Sequence, residues 1–298
     1  KKHLFKPLNI QQIGWPSDPQ RLTNYGWGSL KIRPQDLAKL GYLYLNDGNW
    51  NGKQIVSKRW VAQATKAHHH FNETNGYGYL WWTYQGVFAA RGRGGQLLAV
   101  YPSRKRVVAI TGRSSERKNI AWSNTYVSKA FGEPKTLPAN KKAYKRLQKA
   151  IQNLSKISPK VKQITANKLP EVAHQVSGKS FKLAPNNFGL QDLQITFKNN
   201  QEFIFDLTFM LGVPKPPQKI RFLIGLDNVP RKVPGRFGIP AIGWGKWTAN
   251  NTIEFNLDET GNLNNFKVKL QLFKDKIVGE IKDWSIGKAA IKGTLVHK

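Results

Sequence analysis

The sequence predicts an α+β protein in which an antiparallel sheet with helices is followed by a separate all-β domain. Apolar residues recur at helical spacing in two stretches of the first part. Short strand-like runs separated by turn residues follow these stretches at residues 77–111, and further runs of this kind continue from residue 176 to the end. A chain of 298 residues is long enough for two domains with ordinary cores.

The first predicted helix covers residues 34 to about 47. Pro34 suits the first helical position, Asp36 favours the positive N-terminal end, and Gly48 can end the helix. Ser57 is predicted to cap a second helix that carries Trp60. A third predicted helix, around residues 120–131, would pack against the sheet.

Four strands are predicted between the second and third helices, at residues 77–84, 87–91, 96–101 and 106–111. The turn before the third strand contains Gly92, Gly94 and Gly95. Glycines at such a turn allow another backbone or a ligand to approach a strand closely, and they also serve ordinary hairpins. The spacing by itself leaves both interpretations open.

Residues 133–140 have the composition of a linker, and residues 141–157 are predicted to form a basic amphipathic helix. Two interpretations of this helix remain open: it docks on a domain as a surface element, or it binds an anionic membrane or polymer. Beyond Val176 we expect eight or nine strands in a sandwich or barrel.

The net charge is high, because 48 Lys and Arg residues face 17 Asp and Glu residues, giving +31. Residues 134–175 hold ten basic side chains and one acidic side chain. Such a field attracts polyanions, although adaptation of a whole proteome would give the same composition. Nucleic acid is the least favoured polyanion, because no nucleic-acid-binding signature is present. The chain has no cysteine, and His68–His70 is interpreted as a solvated loop without a metal.

Several motifs of the first part occur in the order found in a known family. They are Leu4-Phe-Lys-Pro-Leu-Asn-Ile10, Tyr25-Gly-Trp-Gly28, Arg33-Pro-Gln-Asp-Leu-Ala-Lys-Leu-Gly41, Trp50-Asn-Gly-Lys-Gln-Ile-Val-Ser57, Gly76-Tyr-Gly-Tyr-Leu-Trp-Trp82 and the glycine turn. As an ordered set, over residues 1–132, they resemble the second half of serine hydrolases related to class C β-lactamases, penicillin-binding proteins and 6-aminohexanoate-dimer hydrolases. Residues 176–197 resemble, more loosely, a β domain appended to some members.

The resemblance implies a fold and a site. The fold is the C-terminal half of a β-lactamase/transpeptidase-like domain, and the oxyanion and substrate edge is placed at Gly92, Arg93, Gly94, Gly95 and Gln96. Trp27 is a candidate for lining the mouth of the pocket. The nucleophilic serine with its lysine, and the general-base tyrosine, are expected N-terminal to Lys1. The Ser-x-x-Lys strings at Ser115 and Ser285 are interpreted as chance matches, because lysine is frequent.

These inferences together predict three segments: residues 1–132 as the hydrolase part, 133–175 as a linker with the basic helix, and 176–298 as an accessory β domain. The expected reaction is hydrolysis of a small-molecule amide or ester through an acyl-serine, without metal or organic cofactor and with the missing N-terminal segment as a partner. The alternative is a non-catalytic relative that binds an anionic surface or cell-wall polymer. The resemblance points to a bacterial periplasmic or extracellular location.

Overall fold

A computed structural model describes residues 1–15, 26, 28–114, 116–127, 138–154, 162–166, 168–210, 217–234 and 240–296. The chain is mostly β and divides into two compact units, Lys1–Ala139 and Asn140–Lys298. The basic helix that the sequence suggests as part of a linker is grouped with the second unit. Within the described ranges, every helix falls short of the length and apolarity that a membrane crossing requires.

The first unit is built on a six-stranded antiparallel sheet in the order β10-β9-β8-β7-β6-β5. Two small strand pairs, β1–β2 and β3–β4, accompany it. In chain order the elements are β1 Ile13–Gly14, β2 Lys31–Ile32, α1 Pro34–Leu45, β3 Asn49–Trp50, β4 Lys53–Gln54, α2 Lys58–Ala64, β5 His69–His70, β6 Gly76–Tyr77, β7 Trp82–Tyr84, β8 Val87–Gly92, β9 Gln96–Tyr101, β10 Arg106–Ile110, α3 Glu116–Trp122 and a π-helical turn Ser123–Val127.

Helix α1 covers one face of this sheet, and it approaches closely at Gly41. A Cβ atom at Gly41 would lie 2.5 Å from Val107 Cγ1 and 2.8 Å from Leu98 Cδ1, so glycine permits the contact. The first turn of α1 holds the buried Asp36, whose carboxylate forms ion pairs with Arg33 at 2.7 Å and Lys39 at 2.8 Å. Burial raises the pKa of Asp36, but the hydrogen bonds and charges of Lys39 and Arg33 outweigh it, and the net shift is downward.

The opposite face of the sheet packs against Ile120 of α3 through residues such as Leu97 and Tyr101. Helices therefore pack on both faces of the sheet; the third helix lies on the sheet as predicted, but it begins at Glu116 and not near residue 120. Helix α2 also follows the prediction, because the Ser57 hydroxyl accepts a hydrogen bond from the Trp60 backbone N–H at 3.2 Å.

The predicted strand 77–84 is wrong in one respect: it is a hairpin of β6 and β7 joined by a tight turn at residues 78–81. Leu80 takes a left-handed φ of +65° in this turn. Tyr79 N–H donates to Ala64 O at 3.0 Å, which ties the turn to the end of α2. A Cβ atom at Gly78 would lie 2.6 Å from Lys66 O, so only glycine fits at this position of the turn.

The second unit begins with two helices and continues as strands joined in one sheet. Its elements are α4 Lys141–Leu154, α5 Glu171–Val176, β11 Lys179–Leu183, β12 Leu190–Asn199, β13 Glu202–Phe209, β14 Gln218–Gly225, β15 Arg231–Pro234, β16 Pro240–Ala249, β17 Thr252–Glu259, β18 Asn265–Leu272, β19 Lys276–Asp283 and β20 Gly287–Leu295. A parallel pairing of β14 with β16 closes nine of the ten described strands into a barrel, and β15 pairs with β16.

Aromatic side chains pack the interior of this barrel. The Phe255 ring lies 5.4 Å from the ring of Phe203 and 5.0 Å from that of Phe205, both in edge-on geometry. All three residues are almost completely buried. Buried positions recur at every second residue along most of their strands, with half-buried positions between them, which is the period-2 pattern expected of a sheet with one apolar face.

Candidate functional site

The predicted substrate edge is the hairpin turn between β8 and β9. Gly92 pairs with Gln96 across the hairpin, and Arg93, Gly94 and Gly95 form the loop. Gly94 and Gly95 have φ values of +80° and +81°, a region that disfavours side chains. Arg93 is exposed, whereas Gly94 and Gly95 are buried. The structure thus places all five residues in one turn.

The segment that follows β10 folds over this turn and binds its polar groups. Ser114 N–H donates to Gly94 O at 2.9 Å. The Asn119 side-chain amide donates to Gly95 O, and its oxygen accepts from the Ser114 hydroxyl at 3.1 Å. The Gln96 amide donates to Gly112 O at 2.7 Å. The carbonyl groups of the turn are therefore used within the protein.

Packing, as well as backbone conformation, requires glycine at position 95. A Cβ atom there would overlap the Ser114 hydroxyl and the Asn119 amide nitrogen. Asn119 itself is 3% exposed, so it cannot move into solvent without breaking the contact. The close approach for which this glycine makes room is that of the protein's own Asn119, a residue that the sequence analysis missed.

The open part of the region is the last half of β8. Strand β7 pairs with residues 87–89 of β8 and goes no further, because the turn at residues 78–81 leads the chain away. On the side opposite β9, no described strand faces Ala90, Arg91 and Gly92. An unpaired stretch of strand can accept an extended segment by backbone hydrogen bonding.

Arg91 is held at this open stretch by two aromatic residues. Its guanidinium donates to the Tyr84 hydroxyl at 2.8 Å and lies 5.3 Å from the centre of the Trp82 ring. Its Nε atom is buried and has no hydrogen-bond partner among the described residues. A buried donor without a partner costs about 1–3 kcal/mol. The arrangement thus holds a half-buried cation next to the strand edge, with its Nε atom enclosed by the protein.

A second polar cluster lies behind the sheet. The Tyr101 hydroxyl is 2.7 Å from Ser123 Oγ and donates to Asn124 Oδ1 at 2.6 Å. Burial raises the pKa of Tyr101, and the hydrogen bond from Ser123 and the charge of Arg104 offset this only in part. The hydroxyl groups of this cluster thus satisfy one another behind the sheet.

The sequence analysis also singled out Ser115, Trp27, Ser285 and His68–His70. Ser115 and Trp27 lie outside the described residues. The Ser285 hydroxyl donates to Asp283 Oδ1 at 2.6 Å within the β19–β20 turn, so Ser285 and Lys288 do not share a helix face. The His68 ring stacks on Tyr79 at 4.3 Å, and the described residues contain no group of three or more metal-ligating side chains.

Comparisons with known proteins give low similarity. No protein-family model matches the chain, and no curated protein does. Among solved structures, a putative 6-aminohexanoate-dimer hydrolase from Bacillus anthracis is 22% identical over 42% of this chain and 35% of its own, with a TM-score of 0.34. An octameric penicillin-binding protein homologue from Pyrococcus abyssi is 14% identical over 98% of this chain and 58% of its own, with a TM-score of 0.33.

A fatty acid binding protein from Schistosoma mansoni is 6% identical over 42% of this chain and 99% of its own, with a TM-score of 0.31. The chain spans less than two thirds of the length of the first two proteins. At these TM-scores the similarities carry no argument about function.

Proposed function

We propose that the chain is the C-terminal part of a β-lactamase-like serine hydrolase that cleaves a small-molecule amide or ester through an acyl-serine intermediate. The open end of β8 carries this proposal. The strand that leads into Arg91-Gly-Arg-Gly-Gly-Gln96 loses its neighbour after Ala89. An extended substrate can therefore pair with the strand at the position where the resembled family has its substrate edge.

The proposed chemistry divides between this chain and its expected N-terminal segment. A serine oxygen of that segment attacks the substrate carbonyl carbon, and the basic partner of the serine takes the hydroxyl proton. The C–N or C–O bond then breaks, the leaving amine or alcohol receives the proton, and water hydrolyses the acyl-serine. A backbone N–H of the edge strand holds the oxyanion, and loss of one such donor slows catalysis about 10²–10³-fold.

Arg91 is the substrate-binding side chain that we assign in this chain. Tyr84 and Trp82 hold its guanidinium beside the open strand, where it can donate to a bound carbonyl or carboxylate. A hydrogen bond to a charged group contributes about 1.5–3 kcal/mol. The side chain would thus orient the substrate along β8.

Activity-based labelling of the protein isolated from its source tests the proposal. We expect an intact mass greater than that of residues 1–298, and covalent labelling by a fluorophosphonate or penicillin probe at a serine outside these residues. Labelling at Ser115 or Ser285, or a mass equal to that of this chain with no labelling, would contradict it.

The role of Arg91 is tested in the same complete protein. Arg91→Gln is expected to lower kcat/KM about 10–100-fold, because 1.4 kcal/mol corresponds to a factor of ten. Arg59→Gln is the matched control, since Arg59 is an exposed arginine on α2. Equal rates for the Arg91 variant and the parent would remove Arg91 from the site.

A periplasmic or extracellular location is part of the proposal and follows from the family resemblance alone. The second candidate, a non-catalytic relative that binds an anionic surface, is favoured by the exposure of helix α4. Probe labelling separates the two candidates, because only the hydrolase forms a covalent adduct.

A further inference from the structure

Helix α4 is exposed along almost its entire length. Asn140 caps its first turn, accepting a hydrogen bond from Ala143 N–H at 2.9 Å through its side chain. Of the residues of α4 whose side chains are described, only Gln148 and Ile151 are half-buried, and the others are exposed. The helix is thus well formed at its start but contributes little to a core.

The amphipathic pattern of this helix predicts an apolar stripe of Tyr144, Leu147, Ile151 and Leu154, and the described part of this stripe lies mostly on the exposed surface. Tyr144 is 63% exposed and Leu147 is 55% exposed, and Ile151 follows them one turn later. None of these three residues belongs to a hydrophobic cluster of the described residues. At 3.6 residues per turn they lie on one side of the helix, together with Ala143 and Ala150. An apolar face of this kind is costly in water unless another surface covers it.

The opposite side of α4 carries only positive charge. Five basic residues and no acidic residue occur in its 14 positions, and the basic residues are Lys141, Lys142, Lys145, Arg146 and Lys149. Lys141 with Lys145, and Lys145 with Lys149, are like charges four residues apart, which weakens a helix. Lys141 and Lys142 also sit at the positive end of the helix dipole. The sequence thus maintains this charge at the expense of helix stability.

A surface that suits both faces must be anionic and apolar at once. We propose that α4 binds in the plane of an anionic lipid bilayer, with Tyr144, Leu147 and Ile151 among the acyl chains and the five basic side chains at the headgroups. Interfacial helices combine these two features, a Lys- and Arg-rich polar face and an apolar face. A nucleic acid or an acidic polymer would match the charge but would leave the apolar stripe in water. This interaction is independent of the proposed hydrolase activity.

Vesicle binding of the full 298-residue chain tests the charge. The parent is expected to sediment with vesicles of phosphatidylcholine and phosphatidylglycerol and to bind vesicles of phosphatidylcholine alone at least about tenfold more weakly. Changing the five basic residues of α4 to Gln should reduce binding to the anionic vesicles by a similar factor. The matched control changes five exposed lysines of the barrel to Gln, namely Lys182, Lys246, Lys267, Lys274 and Lys292, and should keep most of the binding.

The apolar stripe is tested with charge held constant. Tyr144→Ser combined with Leu147→Gln should weaken binding to anionic vesicles about tenfold while leaving elution from heparin unchanged. If this variant binds vesicles like the parent, α4 is a site for polyanions and the lipid proposal is wrong. If the barrel control loses as much binding as the helix variant, the charge acts diffusely and the proposal is also wrong.

Insertion can be observed directly because the chain has no cysteine. Leu147→Cys carrying an environment-sensitive fluorophore should shift its emission to the blue when anionic vesicles are added. Asn153→Cys, an exposed position on the polar side of the same helix, provides the control and should shift much less. Equal shifts at the two positions would show that the apolar face does not enter the bilayer.

Discussion

The sheets of the two units differ in how their edges are paired. In the second unit the pairing of β14 with β16 closes the sheet, so the strands of the ring have neighbours on both sides. In the first unit the sheet stays open among the described strands, and β8 keeps β9 as a neighbour but pairs with β7 only as far as Ala89. Unpaired edges invite unwanted strand pairing, so proteins cover or close them where they serve no purpose. The barrel thus has a closed ring of strands, whereas the open sheet keeps the strand edge at which we propose that substrate binds.

The largest effect is expected from opening the packed centre of the barrel. Phe255→Ala removes a ring that contacts two others and should lower the free energy of unfolding of the second unit by about 3–5 kcal/mol. Val278→Ala, at a 37% exposed position of the same sheet, is the control and should change it by less than about 1 kcal/mol. Urea unfolding followed by circular dichroism measures both. If Phe255→Ala lowers the free energy of unfolding by no more than the control does, the interior of the barrel is loosely packed.

The glycine turn should be the most sensitive point of the open sheet. Gly95→Val places a branched side chain on a backbone with φ +81° and brings it into contact with Ser114 and Asn119. The variant should therefore lower the free energy of unfolding of the first unit by about 2–4 kcal/mol. Gly52→Val is the matched control, because Gly52 has φ +82° but open space around its Cβ position. The control should cost only about 1–2 kcal/mol from backbone strain. Equal losses would show that the packing of Asn119 does not matter.

Asn119 links the turn to α3, and its removal should have a smaller effect. Asn119→Ala leaves the buried Gly95 carbonyl without its donor and should cost about 1–3 kcal/mol. Ser114→Ala removes one hydroxyl and keeps the backbone hydrogen bond from Ser114 to Gly94, so the free energy of unfolding should fall by less than in Asn119→Ala. Chemical denaturation of the two variants gives the comparison. A larger loss in Ser114→Ala would reverse the assigned order of the two contacts.

Acid should affect the two units gradually and to different degrees. Burial raises the pKa of Asp206, but Arg221 at 2.8 Å and Lys219 outweigh this effect and bring the pKa below its ordinary value. Burial also raises the pKa of Asp283, and hydrogen bonds from Ser285 and from the backbone lower it by more. Asp36 in the first unit is shifted in the same direction. A carboxyl group whose pKa is lower in the folded state stabilises the fold above the unfolded pKa of about 3.9, and this contribution is lost as pH falls through the folded pKa.

The barrel holds three such groups among its described residues, because Lys282 also lowers the pKa of the more exposed Glu280, and it should therefore lose more stability than the open sheet between pH 4 and pH 2. Thermal unfolding across this range measures the loss. Asp206→Asn should flatten the pH dependence of the barrel, and an unchanged slope would contradict the assignment.

Local signals predict much of the fold. Pro34 and Ser57 mark the starts of α1 and α2, and the apolar runs with the turn residues between them place β8 to β10 within one or two residues. The hairpin inside residues 77–84 is missed, because the bend depends on contact with the end of α2, which no local pattern contains. The glycine turn is predicted as a turn. Its partner Asn119 is not, because it is 24 residues from Gly95 and reaches the turn only after β10 has paired.

The sequence by itself determines which residues can share a face, because the periods of helix and strand are properties of the backbone. It therefore sets the two faces of α4, the alternation of the barrel strands and the left-handed glycines of the turn. Which face is buried depends on what other elements approach it, and only the tertiary structure decides this. The stripe of α4 is left exposed, the end of β8 has no described strand on the side away from β9, and the space beside Gly95 is filled by Asn119. The physical reason is that burial and strand pairing are relations between distant segments, whereas periodicity and φ are local.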